Sequence, residues 1–145
     1  MSPEGLSLIG SLGLEALQTA AWRVDSIGGL TLGADPIAYA ISYASARTAS
    51  PIRAFTVRKE AKTHGTGKLI EGPFQHGDRV AIVEDVITSG ASAARATEAV
   101  RAAGGNVVGV LALVDREEGG RESLEKLGVE VVSLMTASDI LAAGG

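Results

Sequence analysis

Short apolar runs alternate with segments of helical periodicity along most of the chain. Ser2-Pro3-Glu4 combines a capping residue with a proline suited to the first helical position, and apolar residues then recur at helical spacing as far as Leu17. A short strand is predicted from Asp25 to Leu30, followed by a glycine-containing loop. Pro36 then opens a second helix that should end near Ala46. The first part of the chain therefore predicts helix, strand and helix.

The same alternation continues to the carboxyl terminus. A strand is predicted at Ile52–Val57, and the apolar run Arg79–Val83, which stops at Glu84-Asp85, is typical of a buried parallel strand. The elements expected after it are a helix at Ala91–Ala103, a strand at Val107–Val114, a short helix closing at Leu124–Leu127, a strand at Val129–Leu134 and a helix at Ala137–Ala142. This order predicts an α/β fold, a mainly parallel twisted sheet with helices on both faces, in a single domain spanning residues 1–145. Ligands of such sheets bind beyond the carboxyl ends of the strands.

The segment from Arg58 to Gly77 lacks apolar periodicity and is expected to be a loop. It carries several basic residues, and a loop of this length inside a compact domain is usually functional. A solvated basic surface loop is the alternative interpretation, and from the charge pattern alone it is the more common one.

Composition narrows the classes of function. The chain has 145 residues, 13 Lys and Arg against 17 Asp and Glu, and a formal net charge of -4, which argues against a broad basic surface for nucleic acid or anionic membranes. It has no cysteine, which excludes disulfides, thiolate metal sites and a cysteine nucleophile. The start lacks a signal-peptide pattern, and no apolar run approaches the ~20 residues that span a bilayer. We therefore expect a cytoplasmic protein with no membrane contact.

A candidate phosphate site follows the buried strand. Glu84 and Asp85 precede the turn Thr88-Ser89-Gly90-Ala91-Ser92, which runs into a helix and would present backbone N–H groups, hydroxyls and the positive end of the helix dipole. The two carboxylates would then lie where they can accept hydrogen bonds from sugar hydroxyls or help to hold a hydrated Mg²⁺. An ordinary strand-to-helix turn capped by a serine is the alternative. No Gly-Lys-Ser/Thr sequence is present, which argues against a nucleotide triphosphatase.

Four stretches, in order, resemble the orotate phosphoribosyltransferase family of type I phosphoribosyltransferases. They are the strand and turn of residues 80–92, the loop Thr56–Gly65 with its Arg-Lys-x-x-Lys-x-His pattern, the segment Leu30–Ala38, and Leu113–Gly120. The second is similar to the family's catalytic loop and the third to its pyrophosphate loop, although Gly33 or Ala34 stands where some members have a lysine. Members also carry a hood segment before the Ser-Pro-Glu-Gly-Leu helix, which we expect this chain to lack.

The resemblance implies a reaction and a set of site residues. The reaction is transfer of the phosphoribosyl group from phosphoribosyl pyrophosphate (PRPP) to orotate, which yields orotidine 5′-phosphate and pyrophosphate in UMP synthesis. Lys62, Asp85 and His64 are the candidate catalytic residues, and Thr88 and Arg116 the candidate orotate contacts. The candidate PRPP contacts are Arg58, Lys59, Lys62, His64, Glu84, Asp85, Val86, Ile87, Thr88, Ser89, Gly90, Ala91 and Ser92.

The resemblance also implies Mg²⁺ as cofactor and a homodimer as partner state. Mg²⁺ would be held mainly by PRPP and water, with no direct protein ligand. The Arg58–Gly77 loop would act across the dimer, with Arg58, Lys62 and His64 serving the neighbouring subunit and Lys59 its own. From the residues alone, a surface arginine paired with Glu117 or Glu118 is the more common interpretation of Arg116. Two other functions stay open, a purine phosphoribosyltransferase and a non-catalytic PRPP-binding regulator.

Overall fold

The computed structural model describes residues 1–61 and 68–144, and within these ranges the chain forms alternating strands and helices. The helices are α1 (Pro3–Thr19), α2 (Asp35–Ser45), α3 (Ala91–Ala102), α4 (Gly120–Glu125) and α5 (Ala137–Gly144). The strands are β1 (Ser26–Leu30), β2 (Arg53–Val57), β3 (Ile70–Glu71), β4 (Arg79–Ile87), β5 (Asn106–Asp115) and β6 (Glu130–Thr136). None of the helices in these ranges is both long and apolar enough to cross a membrane.

The strands form one sheet in the order β3-β2-β1-β4-β5-β6. All neighbouring pairs are parallel except β2 and β3, which are antiparallel. The predicted α/β class and mainly parallel sheet are therefore confirmed. The prediction of an uninterrupted loop from Arg58 to Gly77 is wrong at β3, because a strand of two residues is too short to produce a periodic pattern.

Alternate residues of the central strands feed two separate cores. Val80 and Ile82 of β4 pack on the face covered by α3 and α4, whereas Ala81 and Val83 pack on the opposite face, under α1 and α2. All four side chains are fully buried. This is why β4 reads as a continuous apolar run: a strand covered on both faces has no polar side to alternate with.

The start of α1 follows the predicted signals. The Ser2 hydroxyl accepts a hydrogen bond from the Gly5 backbone N–H at 3.0 Å, and Pro3 occupies the first turn. Gly10 lets α1 approach α2 closely, because a Cβ there would lie 2.6 Å from the Ala40 carbonyl oxygen. The pair of helices therefore depends on a small residue at this crossing.

β4 extends beyond its apolar run. The strand continues through Glu84 and Asp85 to Ile87, since its ladder with β5 persists at Glu84↔Ala112, Val86↔Val114 and Ile87↔Asp115. The expectation that the strand stops at the acidic pair is therefore wrong. The two carboxylates therefore belong to the strand itself.

Candidate functional site

The candidate site lies where the connections of two neighbouring strands diverge. β1 continues into α2 on one face of the sheet, and its neighbour β4 continues into α3 on the other. The divergence opens a crevice beyond the carboxyl ends of β1 and β4, which is where open α/β sheets bind ligands. The Leu30–Ala38 segment and the turn after β4 border this crevice.

The turn after β4 forms a small cradle. Gly90 has a positive φ of 85°, which glycine adopts without strain, and it directly precedes α3. The Ala91 N–H donates to the Ser89 hydroxyl at 3.3 Å, while the Gly90 carbonyl accepts from the Ala94 N–H at 2.9 Å and so closes the first turn of α3. A concavity of about 60 Å³ is lined by Glu84 and by residues 86–92. Its size and its helix N-terminus suit one phosphate group.

The predicted cradle residues differ in what they can offer. Thr88, Ser89, Ala91 and Ser92 are exposed, as is the side chain of Val86. Ile87 is 1% exposed, so only its backbone is available, and its carbonyl already accepts the Arg116 N–H at 3.0 Å. A ligand here would therefore meet hydroxyls and backbone N–H groups, with Ile87 forming the floor beneath them.

Glu84 and Asp85 carry different charges at neutral pH. Burial raises the pKa of Glu84 to about 8, and its hydrogen bond to the neighbouring Asp85 carboxylate adds to the rise. The same hydrogen bond lowers the pKa of Asp85, against the opposing effect of burial, and the Val86 N–H supports the Asp85 carboxylate at 2.8 Å. The pair therefore presents one negative charge, on the exposed Asp85, beside the phosphate cradle.

The segment after β1 faces this acidic pair. A Cβ on Gly33 would lie 3.1 Å from the carboxyl atoms of Asp85, so the loop backbone passes close to that carboxylate. Asp35 holds the loop in shape by accepting from the Thr31 hydroxyl at 2.6 Å and from the Thr56 hydroxyl at 3.1 Å. The peptide bond between Thr31 and Leu32 is cis. The sequence placed Thr31 and Asp35 in the expected pyrophosphate loop but did not predict the hydrogen bond between them.

The basic segment begins at the same edge of the sheet. The Thr31 N–H donates to the Val57 carbonyl at 2.9 Å, which ties the loop after β1 to the residue preceding Arg58. Arg58 is held on its own strand pair by its ion pair with Glu71 at 3.0 Å, and its N–H bonds the Leu69 carbonyl. Lys59 is exposed, and its carbonyl accepts from Arg95 of α3 at 2.5 Å. Lys62 and His64 lie outside the described residues.

Arg116 and Thr88 follow two neighbouring strands, β5 and β4. Arg116 is exposed and its guanidinium lies 3.6 Å from the Glu118 carboxylate, the surface pairing anticipated as its alternative role. Because that contact is long and open to solvent, it leaves the guanidinium able to exchange Glu118 for another carboxylate. The Arg116 N–H bond to Ile87 keeps its backbone next to the cradle.

The arrangement joins four kinds of recognition in one crevice. The cradle suits a phosphate, Asp85 suits hydroxyls or a developing positive charge, and the basic stem at Arg58 and Lys59 suits a second anion. Arg116 offers a planar fork for a carboxylate.

Comparison with known proteins agrees with this geometry, although no protein-family model matches the chain. The chain is 51% identical to the orotate phosphoribosyltransferase of Aquifex aeolicus over 139 aligned residues. This alignment covers 96% of this chain and 75% of that protein. A crystal structure of the Mycobacterium tuberculosis H37Rv orotate phosphoribosyltransferase in complex with inorganic phosphate superposes with a TM-score of 0.84 at 44% identity, covering 96% of this chain and 74% of that one. The structure of the same enzyme in complex with PRPP gives a TM-score of 0.79 at 46% identity, covering 92% and 74%.

Proposed function

The chain belongs to the orotate phosphoribosyltransferase family, and we propose that it transfers the phosphoribosyl group of PRPP to orotate, forming orotidine 5′-phosphate in UMP synthesis. One observation carries the proposal: Gly33, Asp85 and the cradle at Gly90 converge beyond the carboxyl ends of β1 and β4. This single crevice offers a place for each part of PRPP. The relatives named above support the reaction assigned to it.

The cradle and the acidic pair are assigned to the phosphoribosyl group. The 5′-phosphate would accept hydrogen bonds from backbone N–H groups and hydroxyls of the turn Thr88–Ser92. Asp85, charged at neutral pH, would accept hydrogen bonds from the ribose hydroxyls. Protonated Glu84 limits the negative charge beside the phosphate to one carboxylate. The same charge on Asp85 would stabilise the positive charge that develops on the ribose as the bond from C1 to pyrophosphate breaks.

The loop after β1 and the basic segment are assigned to pyrophosphate. The passage of the loop backbone past Asp85 would bring pyrophosphate beside the ribose-binding carboxylate. Arg58 and Lys59 stand at the stem of the basic segment, and the family pattern adds Lys62 and His64. These cations would neutralise the charge that accumulates on the leaving group, which makes them catalytic.

Arg116 is assigned to the orotate carboxylate, with Thr88 as a second contact to the base. An arginine fork pairs with a carboxylate through two parallel hydrogen bonds, and a purine base carries no carboxylate. Arg116 would therefore select orotate over purines. It would give up its 3.6 Å contact with Glu118 to do so.

Mg²⁺ is assigned to the substrate, not to a protein cage. Within residues 1–61 and 68–144, no three His, Cys, Asp or Glu side chains lie together in a way that would hold a metal ion. Asp85 is the exposed carboxylate of the acidic pair, and one such group fits a Mg²⁺ ion that keeps water molecules and PRPP oxygens as its ligands. When bound, Mg²⁺ would neutralise pyrophosphate charge.

We propose further that the protein is a homodimer in which the basic loop acts in the neighbouring subunit. In the single chain, Arg58 is engaged by Glu71 of its own strand pair, so its contribution to a pyrophosphate site requires a rearrangement or a second chain. Mixing Lys62→Ala chains with Asp85→Asn chains tests this. Each variant alone should be inactive, and the mixture should recover activity because one mixed site carries neither substitution. If dimers containing one chain of each variant form and activity does not recover, action of the loop across the interface is contradicted.

The reaction itself is tested by incubating the purified protein with PRPP, orotate and Mg²⁺ and following orotate absorbance. We expect Mg²⁺-dependent loss of orotate with formation of orotidine 5′-phosphate, and none with adenine or hypoxanthine as acceptor. Transfer to a purine would instead assign the chain to purine salvage. PRPP binding without any turnover, together with salt-dependent RNA binding, would indicate a regulator.

A further inference from the structure

A buried carboxylate lies directly before the proposed orotate arginine. Asp115 is the last residue of β5 and is 3% exposed, although it stands at an edge of the sheet that faces the site. Its carboxylate accepts the Glu117 N–H at 2.8 Å and the Arg121 Nε at 3.2 Å. A buried carboxylate needs such partners, and here one comes from within the turn that follows β5 and the other from α4 directly after it.

Arg121 connects this carboxylate to the next strand. It lies in α4, and its guanidinium also donates to the Val131 carbonyl at 2.6 Å and to the Ser133 hydroxyl at 3.3 Å. One planar side chain thus bonds acceptors on β5 and β6 at once. We call these contacts of Asp115 and Arg121 the Asp115–Arg121 clamp.

The clamp encloses the turn that carries Arg116. The Arg116 N–H bonds the Ile87 carbonyl at 3.0 Å, and the far end of the turn packs equally tightly. A Cβ on Gly120 would lie 2.5 Å from the Thr88 carbonyl oxygen and 3.0 Å from the Gly90 nitrogen. The turn is therefore pressed against the edge of the phosphate cradle, and the clamp holds both of its ends.

We propose that Asp115 and Arg121 are positioning residues for orotate, which fix the backbone of Arg116 so that its guanidinium meets the substrate carboxylate. This inference rests on the proposed function of Arg116. Neither clamp residue needs to touch orotate, because both act through the turn. The cradle depends less on the clamp, since β4 and the first turn of α3 hold it independently through the Ala94 N–H bond to Gly90.

A similar ion pair at the opposite edge of the sheet supplies the matched control. Arg79 of β4 bonds Asp25, before β1, through Nε at 3.0 Å and Nη2 at 2.9 Å. This pair also joins two chain segments, but it lies at the amino ends of the strands, away from the crevice. Arg79→Met should therefore lower stability without altering substrate binding.

The test is a double-mutant cycle on the KM for orotate. Arg121→Met should raise this KM by about tenfold and change the KM for PRPP by less than about twofold, because a small displacement of a binding group has a large effect on recognition. In the Arg116→Ala background, Arg121→Met should have almost no further effect on the orotate KM, since the residue through which it acts is gone. Equal increases for both substrates, or additive effects of the two substitutions, would overturn the proposal.

Hydrogen exchange supplies a readout that does not need activity. Arg121→Met should speed exchange of the Arg116 and Glu117 amides, whose bonds to Ile87 and Asp115 the clamp maintains, whereas Arg79→Met should leave them unchanged. Unchanged exchange in Arg121→Met would overturn the clamp even if the enzyme is active. If the unaltered protein fails to use orotate, the proposed function fails, and the exchange measurement still decides whether the clamp orders the turn.

Discussion

Replacing Glu84 by glutamine should reduce the loss of folding stability that accompanies a rise in pH. Glu84 is 9% exposed, and its pKa is raised from the ordinary 4.5 to about 8, mainly by burial. Between these two values the unfolded chain releases the proton while the folded chain retains it. The stability associated with this proton is therefore fully present below pH 4.5 and is lost as the pH rises towards 8.

The magnitude follows from the width of that window. Each pH unit inside it corresponds to about 1.4 kcal/mol, so the unaltered protein should lose about 3 kcal/mol from this group between pH 5 and pH 7. That is a large fraction of the 5–15 kcal/mol by which a typical domain is stable. Glutamine resembles the protonated acid, can still donate to Asp85, and has no proton to lose. The free energy of unfolding of Glu84→Gln should therefore change by about 3 kcal/mol less between pH 5 and pH 7 than that of the unaltered protein.

The assay is urea denaturation of both proteins at pH 5 and pH 7. Glu98→Gln is the matched control for the loss of one carboxylate, since Glu98 is exposed on α3 and its replacement should change the free energy of unfolding little. The lowered pKa values of Asp25, Asp78 and Asp85 do not interfere, because those groups are already ionised in both states above pH 5. If unaltered protein and Glu84→Gln lose stability in parallel from pH 5 to pH 7, Glu84 is ionised in the fold and our account of the acidic pair is wrong.

Three further outcomes are expected. In steady-state kinetics, Arg116→Ala should raise the KM for orotate by at least about tenfold and leave the KM for PRPP nearly unchanged, because the substitution removes a charge-assisted pair with the orotate carboxylate and no contact with PRPP. An unchanged KM for orotate would contradict the role assigned to Arg116. Gly33→Ala should raise the KM for PRPP by about fivefold or more with little change in melting temperature, because the added Cβ would lie 3.1 Å from the Asp85 carboxylate, and a normal PRPP KM would show that the loop can yield there. Asp25→Asn should lower the free energy of unfolding by about 1–2 kcal/mol at pH 7, allowing for its partial exposure. Because Arg79 lowers the pKa of Asp25 from 3.8 to about 2, this difference should shrink below pH 3.8 and be lost as the pH falls through 2, and a difference that does not shrink would point to packing instead.

Local patterns account for most of the elements. Ser2 and Pro3 start α1 as predicted, and the apolar run before Glu84 marks the central strand, since both signals act between residues close in the chain. The boundaries that failed depend on distant partners. β3 exists because Ile70 and Glu71 pair with the end of β2, and β4 continues past its apolar run because β5 supplies a ladder there.

The candidate site was predictable to a similar extent. The acidic pair and the turn at Gly90 could be named because they stand in a compact motif with its own chemistry, whereas Arg116 was named only from the resemblance to the family. The unequal charges of Glu84 and Asp85 could not be predicted from the pattern, because they depend on the burial of each carboxyl and on the hydrogen bond between them. Arg121 carried no signal at all, since an arginine on a short polar helix usually faces solvent.

The chain alone was enough to specify an α/β fold, the order of the described elements other than β3, and the residue types of a site for a phosphate and sugar hydroxyls, because periodicity and compact motifs are properties of neighbouring residues. Which residues meet across the crevice required the folded sheet. The strand order sets β1 beside β4, which brings Gly33 to Asp85, and it sets β5 beside β4 and β6, which allows Asp115 and Arg121 to hold the turn of Arg116. These contacts join residues far apart in the chain, and their strength depends on burial and distance, which only the packed structure supplies.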